Sequence, residues 1–231
     1  MSDCDLMLNA LNLSRRRWMQ TVGGGVACTA LAPLGAGAAF ARHDSLPEVL
    51  TAAIVQSHAQ AADEILRDLA QVLDQSRKDL ICFPALGHAV SVSALRAIAA
   101  HARAAAVHVA IGDSLITPDG DILSGLGVHQ TQLGAIALVP SLFKPAKIAG
   151  ADILLHLSAQ PVSFVRAQTL AVDSRAHLIA ATPVGDAFLQ ATGSVIFSPV
   201  GEVLAAAGTA WTQTLTAPLH VAHWRDALVQ V

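Results

Sequence analysis

One thiol and one histidine lie close together in a segment that could support nucleophilic chemistry. Cys82 is the single cysteine beyond residue 41, in the short apolar run Asp79–Pro84, and His88 follows it by six residues. A cysteine thiolate with a neighbouring base can attack an amide or nitrile carbon. The run is typical of a buried strand, in which alternation places Cys82 on the opposite face from Phe83 and Ala85. We therefore interpret Cys82 as a core thiol and His88 as a solvated loop residue, with a functional role for either as the alternative.

Metal, phosphate and serine chemistry find little support in the sequence. The 10 histidines include one close pair, His220-x-x-His223, and no further Cys, His, Asp or Glu completes a ligand cluster around it. A structural or catalytic zinc site needs three or four such ligands. The sequence has no glycine-rich phosphate loop and no serine nucleophile elbow. We predict neither a metal nor a cofactor.

The first 41 residues have the features of an export signal. Arg15 and Arg16 lie in the run SRRRWMQ, which is close to the twin-arginine pattern S-R-R-x-F-L-K, and a Gly/Ala-rich stretch then ends in AFA at positions 39–41. Small residues at the first and third positions of that triplet suit signal peptidase. We predict a twin-arginine signal peptide over residues 1–41 and a periplasmic or secreted mature protein. A membrane anchor, or a lipoprotein cleaved before Cys28, is the alternative.

Composition restricts the partners of the mature chain. The formal net charge of the 231 residues is −3, so neither nucleic acid nor an anionic membrane is expected as a partner. With the signal removed, Cys82 stands alone and no internal disulfide is predicted. We expect no membrane association after signal cleavage. A homodimer or another protein partner is the expectation, and the sequence identifies no small-molecule ligand.

Strand and helix patterns alternate along the mature chain and predict one α/β domain over residues 42–231. Residues 133–161 have a strand–helix–strand pattern that suits parallel strands joined by a crossover. Residues 207–231 are predicted to form a C-terminal extension that packs loosely on the domain or on a partner, and no internal repeat is found. The predicted strands are Thr51–Gln56, Asp79–Pro84, Val107–Ile111, Gly134–Val139, Asp152–Leu157 and His177–Ala181, with hairpins at Leu115–Leu123 and Ser194–Ala206 and helices at Ala59–Gln75, Ser91–Ala106, Ser141–Ala149 and Val162–Ala176.

Several motifs occur in a fixed order across residues 51–206. Asp79–Pro84 reads D-L-I-C-F-P, and the segment 150–159 reads G-A-D-I-L-L-H-L-S-A. Leu170–Gly185 and Gly193–Leu204 follow, the second reading G-S-V-I-F-S-P-V-G-E-V-L. In this order the motifs resemble those of the carbon–nitrogen hydrolase (nitrilase) superfamily. The resemblance implies a shortened nitrilase-like four-layer α-β-β-α sandwich, in a family whose members use a Glu, Lys and Cys triad.

The triad positions implied by this resemblance hold apolar residues. Leu138 stands at the nucleophile position, Ala85 at the position of the general base, and Val128 at the position of the lysine. None of these side chains can attack a carbon atom or accept a proton. Asp173 stands where the family has a second carboxylate, without a lysine or cysteine to orient. Apolar residues of suitable size fill a site at lower cost than a buried charged triad.

These observations predict an exported nitrilase-fold protein that has no working triad and acts as a binding or structural protein. The alternative is a diverged hydrolase of amide or nitrile bonds, with a rebuilt site that uses Cys82, His88 or Asp173. A third interpretation is a chain that folds poorly. An open polar cleft near Ala85 and Leu138 would favour an enzyme or a binder, whereas a filled site would favour a scaffold.

Overall fold

The computed structural model describes residues 47–58, 61–125, 127–142, 148–160, 162–184, 193–208 and 212–222, which contain twelve strands and three α-helices. The predicted signal segment, with Arg15 and Arg16, lies outside the described residues. No described helix is long and apolar enough to span a membrane.

The strands form two six-stranded sheets, and the helices lie on their outer faces. The first sheet has the strand order β12-β1-β2-β3-β4-β5, with β1 Leu50–Gln56, β2 Leu80–Phe83, β3 His108–Ile111, β4 Ser114–Ile116, β5 Ile122–Ser124 and β12 Gln213–Leu219. The second has the order β11-β10-β9-β8-β7-β6, with β6 Gly127–Thr131, β7 Gly134–Leu138, β8 Ile153–Leu157, β9 His177–Ala181, β10 Val195–Phe197 and β11 Val203–Ala206. The helices are α1 Ala62–Gln75, α2 Val92–Ala105 and α3 Phe164–Ser174.

The two sheets have the same internal arrangement. Three parallel strands form the centre of each, β1-β2-β3 in the first sheet and β7-β8-β9 in the second. An antiparallel strand flanks the first of them, β12 beside β1 and β6 beside β7. An antiparallel hairpin continues from the third, as β4-β5 and as β10-β11. The two halves are therefore alike in strand pairing, although the sequence contains no internal repeat that would indicate it.

Matching aspartates hold the amino-terminal ends of the parallel strands in both halves. The Asp79 carboxylate accepts the backbone N–H of Thr51 at 2.6 Å, and the Asp152 carboxylate accepts that of Ala135 at 2.7 Å. Each aspartate also donates its own N–H back to the same residue and accepts, through its carbonyl, the N–H of the histidine that begins the third strand. Because backbone groups at a strand end lack a ladder partner, each carboxylate fixes the register of two neighbouring strands.

Three apolar cores follow from strand alternation. The inter-sheet core, defined by the apolar side chains that the two sheets turn toward each other, contains Cys82, Leu138 and Leu155. The first outer core lies between the first sheet and helices α1 and α2, and includes Phe83. The second outer core lies between the second sheet and α3, and includes Leu154. Sheets and helices therefore stack in the order α-β-β-α, as the resemblance implied.

The helices cover the sheets with the faces that their periodicity predicts. In α1, Ile65, Leu69 and Val72 are buried at i, i+4 and i+7 spacing. The Ser91 hydroxyl caps α2 by accepting the N–H of Ala94 at 3.2 Å. In α3 the buried face carries Ala167, Leu170 and Ala171, which leaves the opposite face of this helix to solvent.

Two parts of the predicted element order need correction. The C-terminal segment is not a loose extension over its described part, because all seven residues of β12 pair with β1 and make this strand an edge of the first sheet. Strand β6 was not predicted, although it forms a tight hairpin with β7. The helix predicted at Ser141–Ala149 lies largely outside the described residues, and residues 149–150 form a turn.

Candidate functional site

The residues that the resemblance places at the triad positions lie in or next to strands of the two sheets. Leu138 is the last residue of β7, pairs with Gly127 and Leu155, and is 4% exposed within the inter-sheet core. Ala85 is half-buried, two residues beyond the end of β2. Leu138 ends one parallel strand and Ala85 follows another, so both lie at the carboxyl ends of parallel strands, where α/β sheets usually place their sites. The side chain at the nucleophile position is therefore part of the apolar packing between the sheets.

Val128 has a different environment from Leu138. It lies in β6 opposite Ala137, is half-buried, and packs against the second outer core rather than the inter-sheet core. The structure therefore does not bring Val128 and Leu138 to the same face of the second sheet. A lysine at position 128 on this backbone would begin from the helix side of the sheet, away from the nucleophile position.

Cys82 is a fully buried thiol. Its exposure is 0%, and its side chain belongs to the inter-sheet core, whereas the next residue, Phe83, belongs to the first outer core. Strand alternation predicted this arrangement. Burial in apolar surroundings raises the pKa of the Cys82 thiol far above its usual range, because desolvation penalises the thiolate. Since the thiolate is the nucleophile, this cysteine is held in its unreactive form.

The two other candidate residues lie apart from Cys82. His88 is exposed in the loop after β2, where Leu86 and Val90 anchor the loop to the first outer core. Asp173 is exposed near the end of α3, on the outside of the second sheet. The three candidates therefore occupy a core, a loop and an outer helix, and they do not form one site.

A buried polar cluster, which sequence reasoning missed, joins the two sheets near the carboxyl end of β1. The Gln56 side chain is 0% exposed; its Nε2 donates to the carbonyl of Gly208 at 2.5 Å, and its Oε1 accepts the N–H of Ser194 at 2.7 Å. The Ser194 hydroxyl accepts the N–H of Thr182 at 3.0 Å and donates to the Thr182 carbonyl at 3.1 Å. The sequence feature that could have revealed this cluster is the glutamine that ends an apolar strand, because a buried amide needs hydrogen-bond partners.

One atom of this cluster has no partner. Thr182 Oγ1 is buried and makes no hydrogen bond among the described residues, although the backbone N–H and carbonyl of Thr182 are both bonded. An unsatisfied buried hydroxyl costs roughly 1–3 kcal/mol.

His156 supports the backbone that follows the nucleophile position. Its side chain is buried, and Nδ1 donates to the Val139 carbonyl at 2.8 Å. Burial lowers the pKa of His156, and the hydrogen bond to the Val139 carbonyl offsets part of that effect. A neutral imidazole therefore holds β7 and β8 together one residue beyond Leu138, on the helix side of the second sheet.

Metal binding finds no support in the described part of the chain. No group of three or more His, Cys, Asp or Glu side chains there is placed to hold an ion. His223, the second member of the predicted pair, lies outside the described residues. His220 is close enough to buried His177 to act on it: burial, and secondarily His220, lower the pKa of His177 to about 4.

A surface groove lies away from the triad positions. It has a volume of about 280 Å³ between α1 and β12, with Asp68, Gln71 and Gln213 on its walls. Its apolar floor includes Val55 and Val72, which belong to the first outer core. The groove is therefore on the helix side of the first sheet and does not open toward Leu138.

The layered sheets and the comparisons with solved structures define the class of fold, that of the carbon–nitrogen hydrolase (nitrilase) superfamily. No family model matches the sequence, and no curated protein sequence matches it either. Solved structures match over most of the domain, at identities that establish the fold alone.

Three of these structures illustrate the likeness. A carbon–nitrogen hydrolase from Helicobacter pylori G27 has a TM-score of 0.65 and 15% identity, over 79% of this chain and 93% of its own. An amidase from Nesterenkonia sp. has a TM-score of 0.62 and 18% identity, over 78% and 95%. Nit3 of Saccharomyces cerevisiae, a member of branch 10 of the nitrilase superfamily, has a TM-score of 0.57 and 15% identity, over 79% and 95%.

Proposed function

We propose that this protein is an exported nitrilase-fold protein without hydrolase activity, which acts as a binding or structural protein. The observation that carries the proposal is the environment of Leu138. The side chain at the nucleophile position is almost completely buried in the inter-sheet core, where a substrate carbon cannot approach it. The Leu138 side chain therefore stabilises the packing between the sheets and takes no part in a reaction.

The other two triad positions support the same conclusion. Ala85 offers a methyl group where a general base would need a carboxylate, and Val128 packs on the helix side of its sheet. The loss of a single oxyanion donor costs a hydrolase about 3–4 kcal/mol of transition-state stabilisation. Here the nucleophile, the base and the charged donor are all absent from their expected positions, so no partial triad remains.

The surviving thiol does not provide a replacement. Cys82 lies in the same apolar core as Leu138, and burial holds its proton in place. A cysteine hydrolase instead needs an accessible thiolate, stabilised by a neighbouring cation or base. A diverged hydrolase would have to open the inter-sheet core before Cys82 could meet a substrate.

The test combines a substrate screen with thiol labelling. The purified chain carrying Cys4→Ser and Cys28→Ser has Cys82 as its only thiol. We expect no turnover of a panel of aliphatic and aromatic amides and nitriles, and no labelling by a bulky maleimide at neutral pH until denaturant is added. The same background with His88→Cys provides the matched control, because that exposed loop position should label at once. Turnover by the folded protein, or rapid stoichiometric labelling of native Cys82, would restore the hydrolase interpretation.

A further inference from the structure

The groove between α1 and β12 has walls of polar side chains. Helix α1 contributes Asp68, Gln71 and Gln75, which form one stripe at i, i+3 and i+7 spacing. The facing strand segment contributes Thr212 and Thr214. Within the described part of the chain, no hydrogen bond or ion pair is found for any of these five side chains. Their carboxylate, amide and hydroxyl groups can therefore bind a ligand without breaking an internal contact.

The floor of the groove is apolar, and strand register explains why. Thr214 pairs with Val55 of β1, and residues directly opposite each other point to the same face of a sheet. Val55 belongs to the first outer core, so Thr214 also points toward the helix layer. Val72 of α1 belongs to the same core and completes the floor. The groove therefore offers apolar contact at its base and hydrogen-bonding groups on both walls.

The charge at the groove is negative. Half-buried Asp68 is the single charged residue among the described residues that line it, and no Lys, Arg or His is among them. The groove also reaches Gln75, the last residue of α1, where the negative end of the helix dipole lies. Asp68 and this helix end are about 10 Å apart along the helix axis, so both ends of the groove favour a positively charged ligand.

The carboxyl end of α1 differs from those of the other two helices. Helices α2 and α3 are followed by Ala106 and Arg175, each in a left-handed conformation with its N–H donating back to carbonyls of the last turn. Helix α1 is followed by Ser76 in an extended conformation, and its last turn contains no basic residue. The last carbonyls of α1 therefore keep their negative partial charge without a cap from the described residues.

We propose that the groove between α1 and β12 binds a small aliphatic ammonium compound, with the ammonium group beside Asp68 and the hydrocarbon chain across Val55 and Val72. The volume of about 280 Å³ lies just below the usual range of roughly 300–1,000 Å³ for small-molecule sites, which suits a short chain. An anion would meet Asp68 and the negative helix end. A purely apolar ligand would remove water from the polar walls without replacing its hydrogen bonds.

Three probes of equal chain length test the ligand class. Binding of n-pentylamine, pentan-1-ol and pentanoate to the purified full chain is measured by ligand-observed NMR titration. We expect n-pentylamine to bind at least about tenfold more tightly than pentan-1-ol, because only the ammonium group gains from the negative charge. Pentanoate should show no binding at about 10 mM. Absence of n-pentylamine binding, or equally tight binding of pentan-1-ol, would overturn the proposal.

Two substitutions with matched controls test the location of the site. Asp68→Asn should raise the dissociation constant of n-pentylamine at least about tenfold, whereas Asp74→Asn, the same charge change at an exposed position of α1 outside the groove, should change it by less than about twofold. Gln75→Lys places a cation in the groove and should also weaken binding at least about tenfold, whereas Ala70→Lys adds the same charge at an exposed position outside it.

Thermal unfolding of each variant checks that the fold is retained, and Gln75→Lys should not lower the unfolding temperature, because a basic residue in the last turn of a helix is favourable. An Asp68→Asn variant that binds n-pentylamine as tightly as the unmodified protein, or a control that weakens binding as much as its matched variant, would overturn the proposal. The groove lies away from the triad positions, so turnover in the screen of amides and nitriles would leave this proposal unaffected.

Discussion

Replacement of Leu138 by alanine tests whether the nucleophile position has become part of the core. Leu138 is 4% exposed and shares the inter-sheet core with Leu155, its partner on β8. Removal of buried methyl groups costs their transfer free energy and leaves a cavity, which together amount to about 2–5 kcal/mol for Leu→Ala. Because apolar side chains from both sheets pack around Leu138, we expect the free energy of unfolding to fall by about 3 kcal/mol, near the middle of that range.

Urea unfolding followed by circular dichroism measures this loss. Val92→Ala serves as the matched control, because Val92 is 62% exposed and its truncation should change the free energy of unfolding by no more than about 0.5 kcal/mol. If Leu138→Ala changes the free energy of unfolding by less than about 0.5 kcal/mol, the packing role is refuted. A change that small would mean that the Leu138 side chain makes few packing contacts and lies in an open site.

The same position can be tested for latent chemistry. Leu138→Cys with Ala85→Glu restores two residue types of the triad, yet we expect no measurable amide turnover. The new thiol would be buried as Cys82 is, so its pKa would also be raised. The charged oxyanion donor would still be missing, at a cost of about 3 kcal/mol or more. Steady turnover by this double variant would show that the position is reachable by substrate.

Three further changes have definite expected outcomes. Thr182→Val should raise the free energy of unfolding in urea by about 1 kcal/mol, because it removes an unpartnered buried hydroxyl and keeps the shape; a loss would contradict this. His177 has a pKa of about 4 in the folded protein against 6.5 when unperturbed. The unfolded state therefore binds the extra proton first, and the free energy of unfolding should fall by about 3 kcal/mol as the pH drops from 6.5 to 4. His177→Gln should make the free energy of unfolding, measured in urea at each pH, less dependent on pH over this interval, and an unchanged dependence would contradict the assignment. Arg15→Lys with Arg16→Lys should leave precursor in the cytoplasm on fractionation, and normal export would refute the twin-arginine signal.

Local patterns in the sequence were sufficient for much of the architecture. The apolar runs around Cys82 and Leu138 were recognisable as strands because a strand buried on both faces needs apolar residues at consecutive positions. The face of α1 followed from its 3.6-residue periodicity. Alternation also placed Cys82 opposite Phe83 without reference to any partner strand. These features depend on neighbours within a few residues, which a sequence displays directly.

Pairings between distant segments were not recognisable in this way. Strand β12 alternates Leu215, Ala217 and Leu219 and contains Pro218, and the sequence analysis predicted this segment as a loose extension. Only its pairing with β1, more than 150 residues away, turns it into an edge strand. A proline is tolerated there because an edge strand has one side without ladder bonds.

At the triad positions, too, some properties follow from the sequence and others only from the tertiary structure. The sequence alone determined that Leu138, Ala85 and Val128 lack the groups for catalysis, because chemical identity needs no fold to be read. Tertiary structure decided that Leu138 packs between the sheets with Cys82 while Val128 packs on the opposite face. The physical reason is register: in a strand, a shift of one residue in the pairing moves every side chain to the other face, and the β6–β7 pairing that sets this register forms only in the folded sheet.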